Sequence, residues 1–242
     1  MARKLSVTCI LPAHNEAGGI LRTLKDFDVL AENSEFEFKL FISEDGSTDN
    51  TRNVIMSSKS EFKLKIELSP ESGRLGYSAA VIRGLESANS DIIWFSDSDG
   101  QFDPSDIFLL ISKLADNKIV CGYRKKRVDS LARRLYSSTF KILYQILGGP
   151  KLRDPSSPFL IAFKKDIDWI CKKKNYMTFG FWWEFQARMM SRGVEVIEVP
   201  ISHRERYDGE TQVYNLRRMP KIIYSQTIGL IKLMNEISKE NI

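Results

Sequence analysis

The stretch Ile92-Ile93-Trp94-Phe95-Ser96 runs directly into Asp97-Ser98-Asp99-Gly100-Gln101. An apolar run that ends in polar turn residues is typical of a strand buried on both faces of a sheet. In extended backbone, residues i and i+2 point to the same side. Asp97 and Asp99 are therefore predicted to present two carboxylates together, just beyond the end of the strand. In isolation, an Asp-rich turn without a ligand would have the same pattern.

Outward from this strand, apolar runs of strand length alternate with segments of helical period. The predicted strands are Leu5–Leu11, Phe36–Ser43, Leu64–Leu68, Asp91–Ser96, Lys118–Cys121, Phe159–Phe163 and Val194–Val199. In the first half, strands recur about every 25–30 residues with a helix between them, which indicates βαβ units. The pattern predicts an α/β fold, with a Rossmann-like, mostly parallel sheet and helices on both faces.

The chain is expected to form a single domain. Its 242 residues suit one large domain or two small ones, at about 150 residues per domain. No repeat, low-complexity tract or Gly/Ser linker divides it. We assign residues 1–218 to this domain and residues 219–242 to a C-terminal helix that is packed on it or appended to it.

The composition of the chain excludes several classes of protein and of site. With 43% hydrophobic and 28% charged residues, the chain is neither disordered nor fibrous. A net charge of +5 suits an acidic partner such as a nucleotide or phospholipid without choosing between them. Two histidines argue against a His-rich zinc site, and three widely spaced cysteines indicate reduced thiols in an intracellular protein. The longest uncharged stretch, Leu5–Asn15, is too short to span a bilayer, so a cytoplasmic protein is expected.

Functional loops in such a sheet lie at the carboxyl ends of the strands. Those loops here contain Pro12-Ala13-His14-Asn15-Glu16, Glu44-Asp45-Gly46-Ser47-Thr48-Asp49, Ser72-Gly73-Arg74-Leu75-Gly76 and Asp97-Ser98-Asp99. Taken singly, the first two are more simply explained as a turn with a helix N-cap, and the third suits an anion only weakly. Oxygen ligands such as Asp97 and Asp99 suit Mg²⁺ or Mn²⁺ shared with substrate phosphates. Together the loops predict a nucleotide and metal site.

Several of these segments, with two further ones, carry a resemblance to a known family. They are similar to the motifs P-x-x-N-E, D-D-G-S-x-D, G-K-G-x-A and D-x-D-G-Q, followed by G-x-x-I-x-E-V-P-I at Gly193–Ile201 and R-x-x-G-x-S at Arg206–Thr211. The sequence resembles the family-2 glycosyltransferases of the GT-A fold over roughly residues 5–218. Within them it resembles the branch that contains dolichol-phosphate mannose synthase and related polyprenyl-phosphate glycosyltransferases. His14, Glu44 and Arg74 depart from the usual residues.

The resemblance implies a nucleoside-diphosphate sugar, GDP- or UDP-linked, as the donor. The residues implied in donor binding are Pro12, Asn15, Glu16, Glu44, Asp45, Arg74 and Asp97. Asp97 and Asp99, together with Gln101, would hold Mg²⁺ or Mn²⁺ on the diphosphate. The cation would stabilise the charge that develops on the leaving group.

The same branch implies an inverting transfer to a polyprenyl or dolichyl phosphate, an anion that needs cations rather than a base. The implied acceptor residues are Arg124, Arg133, Arg134, Ser137 and Arg206, with Arg134 also counted as catalytic beside Asp97 and Asp99. The segment Arg206–Thr211 is predicted to order over the substrates. A solvated basic face is the alternative for the arginines. Asp154–Leu160 also lacks the Gly and Arg of the family's D-x-x-S-G-F-R.

Other acceptors and functions stay open. A sugar hydroxyl in surface polysaccharide or glycan synthesis would need a base, and Glu184 in Phe181-Trp182-Trp183-Glu184-Phe185 is the best candidate. A helix that buries these aromatics and leaves Glu184 at its edge explains the segment equally well. A nucleotidyltransferase is less fitting because its Gly-rich first loop is missing. A non-catalytic nucleotide-binding module is also less fitting, and no nucleic acid partner is expected.

A lipid acceptor would have to be reached from the membrane surface. The C-terminal segment brings together Ile222, Ile223, Gln226, Leu230 and Leu233, flanked by Lys221 and Lys232. This face suits a membrane interface or packing on the domain, and the sequence does not choose. We therefore expect a cytoplasmic protein that is peripheral on the cytoplasmic face of a membrane, with a membrane-anchoring protein as a further candidate partner.

Overall fold

A computed structural model describes residues 4–32, 34–125, 131–208 and 219–240, apart from the side chains of residues 131–135 and 219. Within these residues one seven-stranded sheet has the strand order β3-β2-β1-β4-β6-β5-β7. The strands are β1 (Ser6–Ala13), β2 (Glu37–Glu44), β3 (Lys65–Leu68), β4 (Ile92–Phe95), β5 (Lys118–Arg124), β6 (Leu160–Phe163) and β7 (Glu195–Ile201). Each predicted strand is present, with small shifts at its ends.

The sheet is mostly parallel. β1 pairs in parallel with β2 and β4, β2 with β3, and β5 with β7. β6 is the exception, because it runs antiparallel to both of its neighbours, β4 and β5. The predicted mostly parallel arrangement is confirmed, and the direction of β6 is a feature that its short apolar sequence does not encode.

Helices cover both faces of the sheet, as predicted. They are α1 (Ile20–Glu32), α2 (Thr51–Ser58), α3 (Tyr77–Ser87), α4 (Ile107–Ile111), α5 (Leu131–Ile146), α6 (Lys164–Ile167), α7 (Phe181–Ser191) and α8 (Met219–Glu240). Because side chains alternate along a strand, β1 contributes to two cores. Cys9 lies in the same cluster as Leu24 of α1, whereas Ile10 lies in the cluster of Val81 of α3 and Phe185 of α7.

The C-terminal helix α8 packs on the rest of the molecule. Its Leu230 and Leu233 join a third core cluster with Phe140 and Tyr144 of α5 and Trp183 of α7. Ile222 and Gln226 are buried as well, so most of the face that suited a membrane interface is covered by protein. In the described part of the chain, no helix is both long and apolar enough to cross a membrane.

The parallel strands bring three predicted loops to one edge of the sheet. Asp45 N donates to Ala13 O at 2.9 Å, which joins the ends of β1 and β2. Ser98 Oγ donates to Pro12 O at 2.8 Å, which joins the loop after β4 to the end of β1. The loops that follow β1, β2 and β4 are therefore held side by side.

Candidate active site

A cavity of about 420 Å³ opens at this edge of the sheet. On one side it is lined by residues of the four predicted loops, namely Pro12, His14, Glu16, Asp45, Arg74, Asp97, Asp99 and Gln101. The opposite side is formed by α5, α7, α8 and the segment before α7. We refer to these two sides as the donor side and the acceptor side, after the substrates that the sequence predicts for them.

Asp97 and Asp99 both line the cavity, so the structure brings the predicted carboxylate pair to one place. Asp97 Oδ1 accepts a hydrogen bond from Tyr77 Oη at 2.8 Å, and Tyr77 Oη accepts one from Trp182 Nε1 at 2.9 Å. Burial, followed by the charge of Asp99, raises the pKa of Asp97 to about 6. Two neighbouring carboxylates in a buried site favour a bound cation, because the cation would offset their negative charge.

Arg206 is held on the donor side, between two carboxylates. Its guanidinium lies 2.6 Å from Glu16 Oε1 and 3.1 Å from Asp99 Oδ2. Burial raises the pKa of Glu16 to about 7, against the opposing effect of Arg206. Arg206 also lines the cavity, and its role in acceptor binding stays a prediction.

The chain around Arg206 runs along the Asp97–Gln101 loop. Tyr207 N donates to Asp99 O at 3.2 Å, and Arg204 N donates to Gln101 O at 2.9 Å. Gly100 has φ +76°, and a Cβ at this position would lie 2.3 Å from Cδ2 of Tyr207. Glycine is therefore required here both by the backbone conformation and by the covering ring. The remainder of the predicted loop, residues 209–211, lies outside the described residues.

Asp45 fixes the loop before α3. Its carboxylate accepts hydrogen bonds from Leu75 N at 2.8 Å and Gly76 N at 2.9 Å. Asp45 also lines the cavity, as does Arg74, whose side chain is exposed. The second and third loops are therefore one assembly, with the Arg74 cation at the rim of the cavity.

Asn15 and Glu44, both predicted to bind the donor, do not line the cavity. Asn15 has φ +56°, and its side chain bonds to Thr48 of the second loop. Glu44 is buried and accepts a hydrogen bond from Ser47 N at 2.5 Å. Asn15 and Glu44 therefore shape the loops. This agrees with the simpler explanation of the two segments, in which each is a turn before a helix.

On the acceptor side, Arg124 lines the cavity but is already paired. It forms a bidentate ion pair with Asp154, with Nε–Oδ2 at 2.6 Å and Nη2–Oδ1 at 2.8 Å, and it donates to Ser156 Oγ at 2.7 Å. A buried guanidinium requires such partners. The altered segment Asp154–Leu160 thus supplies the counter-ion of Arg124. Ser137 also lines the cavity, and the side chains of Arg133 and Arg134 lie outside the described residues.

Glu184 is not at the cavity, contrary to its predicted role as a base. It is buried, and its carboxylate accepts hydrogen bonds from Tyr176 N and Met177 N, both at 2.8 Å, and from Arg188 Nε at 2.9 Å. Arg188 in turn bonds to Glu236 of α8 at 2.8 Å. Glu184 therefore anchors α7 to the preceding segment and, through Arg188, to α8.

Sequence reasoning found part of the aromatic lining of the acceptor side, since the segment Phe181–Phe185 was a candidate to pack on a sugar or prenyl chain, but it did not find the rings outside that segment. We name Tyr136, Phe140, Phe179, Trp182 and Trp183 the aromatic wall. Gln226 of α8 lines the cavity beside it. Tyr77 was not predicted as a site residue either. Its position directly after the third loop, at the start of α3, could have indicated that it lies at the site. The aromatic wall gave no such signal beyond the cluster Phe181–Phe185, because α5, α7 and α8 are distant in sequence.

Comparisons with known proteins agree with this geometry. The undecaprenyl-phosphate 4-deoxy-4-formamido-L-arabinose transferase of Salmonella choleraesuis (strain SC-B67) is 24% identical over 219 residues, which cover 90% of this chain. The match covers 65% of that relative's length. A solved structure of glucosyl-3-phosphoglycerate synthase from Mycobacterium tuberculosis with UDP matches 96% of this chain and 80% of its own, with TM-score 0.69 and 18% identity.

Mannosyl-3-phosphoglycerate synthase from Rubrobacter xylanophilus gives a similar fold match, with TM-score 0.68 and 14% identity over 97% of this chain and 75% of its own. These structural matches confirm the predicted GT-A fold. A sequence profile described as "Glycosyl transferase family 2" matches residues 8–179, well over half of the chain. The chain belongs to glycosyl transferase family 2.

Proposed function

We propose that the chain transfers a sugar from a nucleoside-diphosphate sugar to an acceptor phosphate, with inversion at the anomeric carbon and polyprenyl phosphate as the first candidate acceptor. The observation that carries this proposal is the composition of the cavity. Its donor side holds the Asp97 and Asp99 carboxylates, and its acceptor side combines Arg124 and Ser137 with aromatic rings.

The donor side suits a nucleoside diphosphate. Glu16 and Asp45 line the cavity and offer carboxylate oxygens to ribose hydroxyls or base amino groups. Arg74 offers a cation to the diphosphate. A relative with the same fold was crystallised with Mn²⁺, UDP-glucose and phosphoglyceric acid, which supports a donor of this class.

The residues present fit a divalent cation. Asp97 and Asp99 supply oxygen ligands of the kind that Mg²⁺ and Mn²⁺ prefer. In the described residues no group of three or more His, Cys, Asp or Glu side chains could hold a metal ion alone, so the diphosphate would complete the set. Gln101 lines the same cavity but already donates through Nε2 to Arg204 O at 3.3 Å. When bound, the cation would offset negative charge on the departing diphosphate.

A phosphate acceptor fits because each carboxylate that lines the described part of the cavity already has a hydrogen-bond partner, an ion-pair partner or a proposed role in metal binding. Asp45 is engaged by Leu75 N and Gly76 N, and Glu16 by Arg206. Asp97 and Asp99 are the proposed metal ligands. A phosphate oxygen needs no deprotonation; it attacks the anomeric carbon while the sugar–diphosphate bond breaks and the diphosphate leaves with the bonding electrons.

A hydroxyl acceptor remains the second candidate. Two of the structural relatives are named as synthases of glycosyl-3-phosphoglycerates, which favours a soluble phosphorylated acceptor of this kind. The base would then have to be one of the engaged carboxylates or His14, whose Nδ1 lies 3.0 Å from Asp45 O. The undecaprenyl-phosphate relative has the higher identity, 24% against 18% and 14%, and it supports the lipid phosphate.

The test is a two-step assay on the full chain. Hydrolysis of a panel of UDP- and GDP-sugars with Mn²⁺ first identifies the donor. The preferred donor is then supplied with undecaprenyl phosphate, 3-phosphoglycerate or a simple sugar, and the products are identified by mass spectrometry. We expect a glycosyl phospholipid. Transfer only to a hydroxyl would overturn the phosphate acceptor, and no turnover of any nucleotide sugar would overturn the proposal as a whole.

A further inference from the structure

The aromatic wall is an apolar surface inside an otherwise charged cavity. Trp182 and Trp183 are only 5% exposed and Phe140 4%, whereas Phe179 is 37% exposed. The wall therefore extends from the protein interior to a ring that is open to solvent at one end. The apolar surface that a ligand could remove from water therefore belongs mainly to Phe179 and the half-buried Tyr136. The buried rings Phe140 and Trp183 pack in the core next to Tyr136.

Gln226 holds this wall together from the C-terminal helix. Its Nε2 donates to Phe179 O at 2.8 Å, and its Oε1 is hydrogen-bonded to Tyr136 Oη. The residue is 1% exposed. Tyr136 lies on α5, Phe179 in the segment before α7, and Gln226 on α8. One buried amide thus links three separate parts of the chain at the cavity, and α8 completes the wall.

Polar groups lie next to the wall. Arg124, Ser137 and Ser156 line the same cavity, and Arg124 and Ser137 also line an adjoining depression that contains Lys125, Lys141 and Arg153. A cationic region beside aromatic rings matches an amphiphile with one anionic end and a hydrocarbon chain. Phosphoglycerate would pair with the cations and leave the aromatic wall uncovered, and a neutral sugar would not neutralise the cations.

We propose that the aromatic wall, which is linked to α8 by the hydrogen bonds of Gln226, binds the hydrocarbon chain of a prenyl phosphate. The phosphate lies toward Arg124 and Ser137. The inference rests on the proposed function and adds to it a subsite, an occupant and a role for the C-terminal helix. In this arrangement the hydrocarbon chain leaves the cavity past Phe179, a lining residue that is 37% exposed.

Binding, rather than turnover, tests the subsite. The full chain, with Mn²⁺ and UDP present, is titrated with geranyl phosphate, methyl phosphate and 3-phosphoglycerate, and tryptophan fluorescence is followed because Trp182 and Trp183 are part of the wall. We expect geranyl phosphate to bind at least about tenfold more tightly than methyl phosphate. Phe179→Ala should reduce that ratio by roughly threefold to tenfold. Its partial exposure makes this variant compatible with folding.

The control is Tyr224→Ala on the exposed side of α8, where the ring is 71% exposed and outside the cavity. It should leave the ratio unchanged. Gln226→Leu keeps a side chain of similar size and removes the hydrogen bonds to Phe179 O and Tyr136 Oη. It should lower the affinity for geranyl phosphate more than that for methyl phosphate.

The outcomes separate the subsite from the proposed function. Equal affinity for geranyl and methyl phosphate, with both phosphates accepting sugar, would overturn the subsite and leave the function standing. Tighter binding of 3-phosphoglycerate than of geranyl phosphate would overturn it in favour of a soluble acceptor. Failure of any phosphate to bind or accept sugar would overturn both.

Discussion

The two sides of the cavity are built in different ways. On the donor side, the chemical groups belong to short loops that directly follow β1, β2 and β4, and main-chain hydrogen bonds such as Asp45 N to Ala13 O fix the loops. On the acceptor side, the cavity is lined by α5, α7 and α8, which meet through side-chain packing, side-chain hydrogen bonds and an ion pair.

The two sides of the cavity also differ in how far the family profile covers them. The family profile ends at residue 179, so it covers every donor-side loop up to the aspartate pair but neither α7 nor α8. The residues predicted to bind the donor all lie within the part of the chain that the family profile matches. Of the helices that line the acceptor side, α5 lies within that part, whereas α7 and α8 lie outside it. We expect changes in α7 and α8 to alter acceptor choice without disturbing the donor loops.

The largest effect expected from this contrast is on the donor side. Asp99→Asn should lower kcat by roughly 10²–10³-fold, because it removes charge from the metal and diphosphate site. Steady-state rates at saturating Mn²⁺ measure the loss. Asp116→Asn, at a position that is 74% exposed and paired with Lys165, is the matched control and should have no effect. Full turnover in excess EDTA would contradict the prediction.

Glu184→Gln should instead act on stability. The neutral amide leaves Arg188 with Glu236 and Lys174 O as partners and lowers the free energy of unfolding by about 2 kcal/mol or more. Urea unfolding measures this, and the rate per folded molecule should change little. A 10²–10⁴-fold fall in kcat with unchanged stability is the result expected of a general base, and it would refute the structural role.

Tyr77→Phe probes the junction of the two sides, because the Tyr77 hydroxyl donates to Asp97 and accepts from Trp182 of the aromatic wall. Losing a hydrogen bond to a charged carboxylate should lower kcat/KM by at least roughly tenfold. The Mn²⁺ concentration required for half-maximal rate should also change, which a purely structural role would not cause. The control is Tyr224→Phe; an unaltered Mn²⁺ dependence in Tyr77→Phe would exclude a positioning role.

The smallest effect concerns how α8 is attached. Hydrogen bonds from Arg188 and then Tyr176 lower the pKa of Glu236 from 4.5 to about 2, against a smaller opposing effect of burial. A carboxyl whose pKa is depressed in the folded state stabilises the protein above its unfolded pKa and loses that contribution as pH falls. The stability difference between wild type and Glu236→Gln should therefore be complete at pH 7 and shrink between about pH 4.5 and pH 2. Urea midpoints across this range measure it, and a gap that widens on acidification would be contrary to the ion-pair account.

The sequence alone was sufficient to predict those features of the fold that a local pattern of residues determines. The strands, the order of loops and helices, and the meeting of the loops after β1, β2 and β4 all follow from hydrophobic period and the geometry of parallel sheets. Asp97 and Asp99 were placed correctly at a common cavity by the same geometry, and their role as metal ligands stays a prediction.

Contacts between segments that are distant in sequence could not be deduced in the same way. Nothing near Arg206 in the sequence indicates that Glu16, 190 positions away, will be its partner. Glu184 was predicted to be accessible because its segment is rich in aromatics, yet α7 is buried on all sides from Phe181 to Met189. Such placements depend on which helices pack together, and helical period alone does not specify the partner.

The antiparallel strand β6 has a consequence for how the molecule assembles. Strands β3, β2, β1 and β4 form a contiguous parallel unit encoded by residues 6–95, whereas β5 reaches this unit only through β6, which is synthesised later and lies between them. The strands of the N-terminal half can therefore pair one after another as each βαβ crossover forms. In the second half, β5 can join the sheet only after β6 has inserted between β4 and β5. During synthesis, the exposed edge of β4 stays unpaired until residue 160 has emerged, and this interval is when the nascent chain is most open to strand-mediated self-association.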